Sequence, residues 1–248
     1  MKKIISILLN YMPNFVGNAV DYLRFKIARP KLFAAYQDYR YSDEHIKFVH
    51  ILECMNYVRV SDSMGVPQVF FEFGCHSGRT FSAAVNAAKY FNMMDAEFYA
   101  FDSFEGLPTT NVEEDGIFRT GSFCTSKSDF LKIVKQKTGL DLNNDHIIEG
   151  FYSDSLTTEL QERTPKVGMV HIDVDLYSST MQILEFIKPL IMVGTVIVFD
   201  DWYCFPPGSN KGEMRAVKES SAANPSFQLE EWKAYSTFGK SFFVTSLP

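Results

Sequence analysis

Cysteine is scarce. The chain has four in 248 residues, Cys54, Cys75, Cys124 and Cys204, and no two form a C-x-x-C pair. That scatter excludes a disulfide framework and a cysteine zinc site, and it fits reduced thiols in a cytoplasmic protein. Positive charge is also short. Lys and Arg number 24 against 30 Asp and Glu, for a net charge of −6. No basic stripe offsets phosphate charge, so nucleic acid is excluded as a main partner. No apolar run approaches the ~20 residues of a membrane span. Residues 1–9 carry two lysines and a short apolar run, without the length or cleavage site of a signal peptide. They read as an amphipathic helix, with a peripheral membrane or partner contact left open and no export. Internal repeats, low-complexity tracts and long linkers are missing too, and so is the G-x-G-x-x-G dinucleotide fingerprint.

What is present is a core. At 46% apolar residues, the chain holds enough for one α/β domain with additions. The centre of the pattern is residues 167–202. Two apolar, β-rich runs, 167–172 and 195–199, each end in carboxylates: Asp173 and Asp175, then Asp200 and Asp201. Between them, 179–191 places Met181, Leu184, Ile187 and Leu190 on one helical stripe. Strand, helix, strand is the unit of a parallel sheet. In such sheets ligands bind beyond the carboxyl ends of the strands, where these acids fall. Aspartate is also a favoured helix N-cap. Three of them on two successive strands favour a site for a hard cation such as Mg²⁺, which relieves their repulsion and desolvation.

Upstream, residues 1–64 form a helical extension, a lid or an oligomer contact, with Ser42 or Asp43 as a cap for a helix over 43–59. The rest, 65–248, is the main domain. Strand 69–73 contains Glu72, a charge among aromatics that needs a partner. The turn Gly74-Cys75-His76-Ser77-Gly78 follows, then a helix over 79–91. Strand, Gly-rich turn and helix form a nucleotide-binding arrangement, although glycines serve bare turns as well. Strand 97–101 ends at Asp102, placed either to accept ribose hydroxyls or to cap the loop after it. A long loop over 103–126 precedes a helix over 129–138. A short strand at 146–149 leads to Gly150-Phe151-Tyr152, whose rings either stack on a flat ligand or pack in the core. His171 reads as a hydrogen-bonded core histidine. Helix 212–223 and a hairpin around Gly239 close the chain.

These motifs resemble a known family. F-E-F-G-C-H-S-G-R-T (71–80) is similar to the first motif of class I S-adenosylmethionine-dependent methyltransferases. A-F-D-S-F-E-G-L-P (100–108), G-F-Y-S-D-S-L (150–156), H-I-D-V-D-L-Y-S-S-T (171–180) and V-F-D-D-W (198–202) resemble the macrocin O-methyltransferases. Those enzymes methylate sugar hydroxyls of natural products and need a divalent metal. The resemblance implies a Rossmann-like sheet of seven strands, the last antiparallel, flanked by helices. It implies a cofactor site at Glu72, Gly74, Ser77 and Gly78 for the methionine and ribose. Asp102 would hold the ribose hydroxyls, Ser103 and Phe104 the adenosine, and Gly150, Phe151 and Tyr152 the adenine. Asp173, Asp200 and Asp201 match a metal triad shared with catechol O-methyltransferase. No lysine follows the first aspartate here, so the base falls to Asp173 or Asp175. The expected acceptor is a small molecule or glycoside with two neighbouring hydroxyls. A catechol, a nicotinamide-dependent oxidoreductase and a non-catalytic cofactor-binding subunit are the rival readings. The N-terminal helices are candidates for a homo-oligomer contact.

Overall fold

A computed structural model describes residues 26–27, 30–206 and 208–247, the side chains of 30–41 excepted. The amphipathic helix expected at 1–9 lies outside the described residues. The chain divides into two units, Met1–His45 and Ile46–Pro248. The first contributes helical residues 26–27 and the start of helix α1, Pro30–Ser61. The chain is therefore already helical at Ser42 and Asp43, and neither caps a helix there. Everything that follows concerns the second unit.

From Lys47 onward, α1 turns one stripe inward: Lys47, His50, Ile51, Cys54, Met55 and Val58, at helical spacing. Five of these six are buried, and Lys47 is the polar start of the stripe. The rest builds a seven-stranded sheet in the order β3-β2-β1-β4-β5-β7-β6. In chain order the elements are β1 (Val69–Phe73), α2 (Arg79–Tyr90), β2 (Glu97–Asp102), α3 (Val112–Asp115), α4 (Lys127–Thr138), β3 (Ile147–Glu149), α5 (Tyr152–Ser155) and α6 (Thr158–Arg163). Then come β4 (Met169–Ile172), α7 (Tyr177–Ile187), β5 (Val196–Phe199), α8 (Gly212–Ala223), β6 (Gln228–Tyr235) and β7 (Gly239–Ser246). Strands β1 to β5 pair in parallel, and β7 inserts antiparallel between β5 and β6.

The strands explain themselves by burial. β1, β4 and β5 are buried at every residue, as sheets covered on both faces require. On one face Phe70, Phe98, Met169 and Val198 pack under Ile51, Met55, Phe81 and Phe130. On the other, Phe73, Phe101, Ile172 and Phe199 pack under Ile183, Leu184, Phe186 and Ala216. Phe73 and Phe101 stack with ring centroids 4.3 Å apart. Glu72 sits in register with His171, so both polar side chains share the face that holds Phe70 and Met169.

Strand order reverses between β1 and β4, the switch point at which α/β sheets take ligands. Backbone bonds extend the ladder one step past the strand ends. Gly150 N donates to Asp102 O, Gly74 N to Phe101 O, Asp173 N to Phe73 O and Asp200 N to Ile172 O, each at 2.9–3.0 Å. Gly150, Asp102, Gly74, Asp173 and Asp200 therefore lie in one row along the carboxyl edge.

Candidate active site

The Gly-rich turn begins at Gly74, with φ +82°. A Cβ at that position would lie 1.8 Å from the carbonyl oxygen of Asp173. Only glycine permits both the left-handed backbone and so close an approach of the β1 and β4 ends. Gly78, also left-handed, precedes α2 and packs against Phe130 and Val134 of α4. Asp102 closes the other side of the turn. Its Oδ2 accepts Cys75 N at 2.7 Å and His76 N at 3.0 Å, and its Oδ1 accepts Phe104 N at 2.7 Å. The carboxylate thus fixes the turn it faces. A carboxylate offers about four acceptor positions, and backbone amides take three of them here.

Ser103 is engaged locally, donating to Gly106 O and accepting from Glu105 N. Phe104 is buried and packs on Phe130, 5.5 Å between centroids. Ser77 is half-buried at the turn. Phe151 is half-buried as well, at the N-cap of α5. Tyr152 donates its hydroxyl to Phe101 O at 3.2 Å and packs edge-on against Phe73. It also lines an open groove of about 490 Å³ between α5, α6 and α7.

The acidic half is built at the ends of β4 and β5. Asp173, Asp200 and Asp201 each bring an oxygen within 4.8 Å of the others. Asp175 lies in the left-handed region, φ +61°, which swings its amide onto Asp201 Oδ2 at 3.2 Å. Asp201 N in turn donates to Glu213 Oε2, 3.0 Å away at the start of α8. Glu213 is 1% exposed, and its other oxygen has no partner among the described residues. Asp200 is held from two sides. Tyr235 donates to Oδ1 at 2.8 Å, and Lys47 Nζ lies 2.5 Å from Oδ2.

The electrostatics follow from burial and like charge. Burial, then Asp200 and Asp201, pushes the Asp173 carboxyl well above its usual range. Burial and then Asp175 do the same to Asp201. Asp175 is pushed up to about 7 by burial and then by Asp173. Burial also raises Glu72 and Glu213, each next by an aspartate of the triad. In this cluster Asp200 goes the other way: burial opposes ionisation, but the Lys47 charge, His171 and the hydrogen bonds from Lys47 and Tyr235 together outweigh it. For Lys47, burial favours the neutral amine, and Asp200 with Asp173 more than reverses that. Crowded carboxyls held above their normal range are what a bound cation would relieve.

Glu72 Oε2 and His171 Nδ1 are buried without partners among the described residues. His171 thus lies in the core as expected, but its Nδ1 has no hydrogen-bond partner among the described residues. Burial draws its pKa down to about 4, so the ring is neutral at pH 7.

Two loops border this edge. The 103–126 loop is tied to the Gly-rich turn by Thr125 Oγ1 and His76 Nδ1 at 2.7 Å. It is clasped to the segment after β5 by Phe118 on Phe205, by Lys211 Nζ on Glu113 O and by Arg215 on Glu114. Trp202 packs against Phe242 and Phe199 and is half-buried, whereas Tyr203 is exposed.

Sequence reasoning missed Lys47, Tyr235 and Glu213. Lys47 carried one signal, as a charge continuing the apolar stripe Ile51, Cys54, Val58. Tyr235 and Glu213 carried none, because their partners lie on other elements.

The sheet order, the reversed last strand and the Gly-rich turn define the class I methyltransferase fold. The O-methyltransferase NovP superimposes with a TM-score of 0.65 at 20% identity, covering 81% of this chain and 80% of that one. The calicheamicin methyltransferase CalS11 superimposes with a TM-score of 0.61 at 19% identity, covering 97% and 90%. The particular family follows from sequence. The macrocin O-methyltransferase (TylF) model matches residues 44–223, and the chain belongs to that family. A relative, demethyldecarbamoylnovobiocin O-methyltransferase of Streptomyces niveus, is 25% identical over 158 residues. That match covers 60% of this chain and 58% of the relative, less than two thirds of its length. Among the described residues, no helix is long and apolar enough to cross a membrane.

Proposed function

We propose that this chain moves a methyl group from S-adenosylmethionine to a sugar hydroxyl of a glycosylated small molecule, with a divalent cation at the acidic triad. One observation carries the reading. Gly150, Asp102, Gly74, Asp173 and Asp200 stand in one row along the strand ends. Read along the edge, that row runs from the adenine and ribose positions to the metal positions.

The residues fit both groups. The unpartnered, buried Glu72 oxygen beside the Gly-rich turn suits a cationic amine such as that of the methionine moiety. Gly74, Ser77, Gly78 and Asp102 would hold the rest, with Ser103, Phe104, Gly150, Phe151 and Tyr152 bordering it. Asp173, Asp200 and Asp201 offer only oxygen donors, which suits Mg²⁺ or Mn²⁺. S-adenosylmethionine, when bound, supplies an electrophilic methyl group. The divalent cation, when bound, supplies a Lewis acid that lowers the pKa of a hydroxyl.

The protein's own part is placement and proton transfer. Asp175, buried and with its pKa near 7, is suited to take the hydroxyl proton at neutral pH. Asp173 is committed to the triad, so Asp175 is the better base. The 103–126 loop is clasped to the segment after β5 by Phe118 on Phe205 and Arg215 on Glu114, which suits it to border an acceptor. Exposed Tyr203 beyond β5 offers a face to a sugar ring. The family of the chain supports a sugar over a catechol. A competition assay with labelled cofactor across glycosides and catechols tests this. Methylation of glycosides bearing two neighbouring hydroxyls is expected. Methylation of catechols alone would overturn it.

A further inference from the structure

Lys47 reaches the acidic site from a different part of the chain, 153 positions before Asp200. Its Nζ lies 2.5 Å from Asp200 Oδ2, and Tyr235 holds the other oxygen at 2.8 Å. Both oxygens of this ligand candidate therefore already have donors. The two donors differ in kind. A phenol hydroxyl is neutral and can share its oxygen with a cation. An ammonium carries a full positive charge, and like charges a few ångströms apart in a half-buried site repel strongly. Lys47 also faces Asp173 and Asp201, so its charge acts on the whole triad. Its side chain is 30% exposed, which leaves room for it to move toward solvent. The carboxyls around it outnumber it. Glu213, 1% exposed, keeps one oxygen unpartnered beside Asp201, so the cluster can still take more positive charge.

We propose that Lys47 is a tethered competitor for the divalent cation: its ammonium must leave Asp200 Oδ2 before Asp200 can ligate a metal. Helix α1 thereby sets the metal affinity of a site otherwise built at strand ends. The inference rests on reading the triad as a cation site. Lys47 is a positioning residue, acting through Asp200. Its removal tightens metal binding and leaves the ligand set intact.

The test is Mn²⁺ titration, followed by electron paramagnetic resonance, on protein stripped with EDTA. Lys47→Met should bind Mn²⁺ about tenfold more tightly than the wild type, since a competing charge has been removed. Lys47→Arg, which keeps the charge, should stay near the wild type. Tyr235→Phe, which removes a neutral donor from the same carboxylate, should shift affinity far less than Lys47→Met. Because Lys47→Met takes the cation from a buried Asp200, a second measurement uses the wild type alone and does not depend on the variant folding. Reductive methylation of Lys47, followed by mass spectrometry, should speed up several-fold when Mg²⁺ is added. Equal Mn²⁺ affinity in Lys47→Met and wild type, or unchanged Lys47 labelling with Mg²⁺ bound, would overturn the competition while keeping the metal site. No Mn²⁺ binding by any of these folded proteins at millimolar concentration would overturn the metal site and this proposal together.

Discussion

At the end of β2, Asp102 is satisfied by backbone. Its three donors, the amides of Cys75, His76 and Phe104, belong to the turn it faces or to its own loop. At the end of β5, Asp200 is satisfied by side chains from far away: Lys47 on the first helix and Tyr235 on β6. The first arrangement is fixed as soon as β1 and β2 pair, because backbone amides go wherever the strands go. It holds one geometry and leaves little to exchange. The second is assembled from three separate elements, and a flexible ammonium can be exchanged for another cation. In the proposed reading, one half of the edge is a fixed cradle and the other an exchangeable charge site.

Gly74→Ala should disturb both halves at once and have the largest effect. A left-handed backbone costs an L-residue about 1–2 kcal/mol, and the added Cβ would lie 1.8 Å from the Asp173 carbonyl. Urea unfolding should show a loss well beyond the backbone term alone. A midpoint matching the wild type would mean that the two halves are not in contact.

Asp201→Asn should separate them. Turnover should fall by more than about 100-fold, the upper end of what partners around a metal centre contribute. Cofactor affinity by calorimetry should hold, because Asp102 and the Gly-rich turn are untouched. Loss of cofactor binding in this variant would merge the two halves into one site.

Asp102→Ala should show the cost of a cradle made from backbone. Unlike a ligand contact alone, its removal also leaves the part-buried amides of Cys75 and Phe104 short of an acceptor, at up to roughly 1–3 kcal/mol each. Weaker cofactor binding and lower thermal stability are expected together. Weaker binding with full stability would assign Asp102 to the ligand alone.

The pH profile gives the smallest and finest distinction. Burial holds the Asp175 carboxyl at about 7, and a base works only when deprotonated. kcat/KM should therefore rise with pH and level off at or below about 7, since a bound cation draws the value down. Below that limb it should fall about tenfold per pH unit. Asp175→Asn should abolish the limb; an unchanged limb would move the base elsewhere.

The difference between the two halves also explains what could be read in advance. β1 and α8 lay at the residues expected for them, and the triad aspartates were marked by their position after apolar runs. Asp102 was readable as a cap of its own loop because Phe104 N lies two residues on, whereas its hold on the Cys75 and His76 amides was not read. Tyr235 and Glu213 were not readable, because nothing local marks a side chain whose partner is set by tertiary packing, and Lys47 was marked only as a charge continuing the apolar stripe of α1. No lysine follows Asp173, and Lys47, a lysine that does face the triad, comes from α1. Helix α3, inside the 103–126 loop, was also missed: it is four residues long, too short to show a period.

Turnover after metal removal tests the division most directly. Enzyme treated exhaustively with EDTA, assayed with labelled S-adenosylmethionine and a glycoside bearing neighbouring hydroxyls, should transfer no methyl group. It should still bind the cofactor with unchanged affinity, and added Mg²⁺ should restore transfer. Full transfer after chelation would contradict the account, leaving Asp173, Asp200 and Asp201 as partners of Lys47 rather than ligands of a catalytic metal.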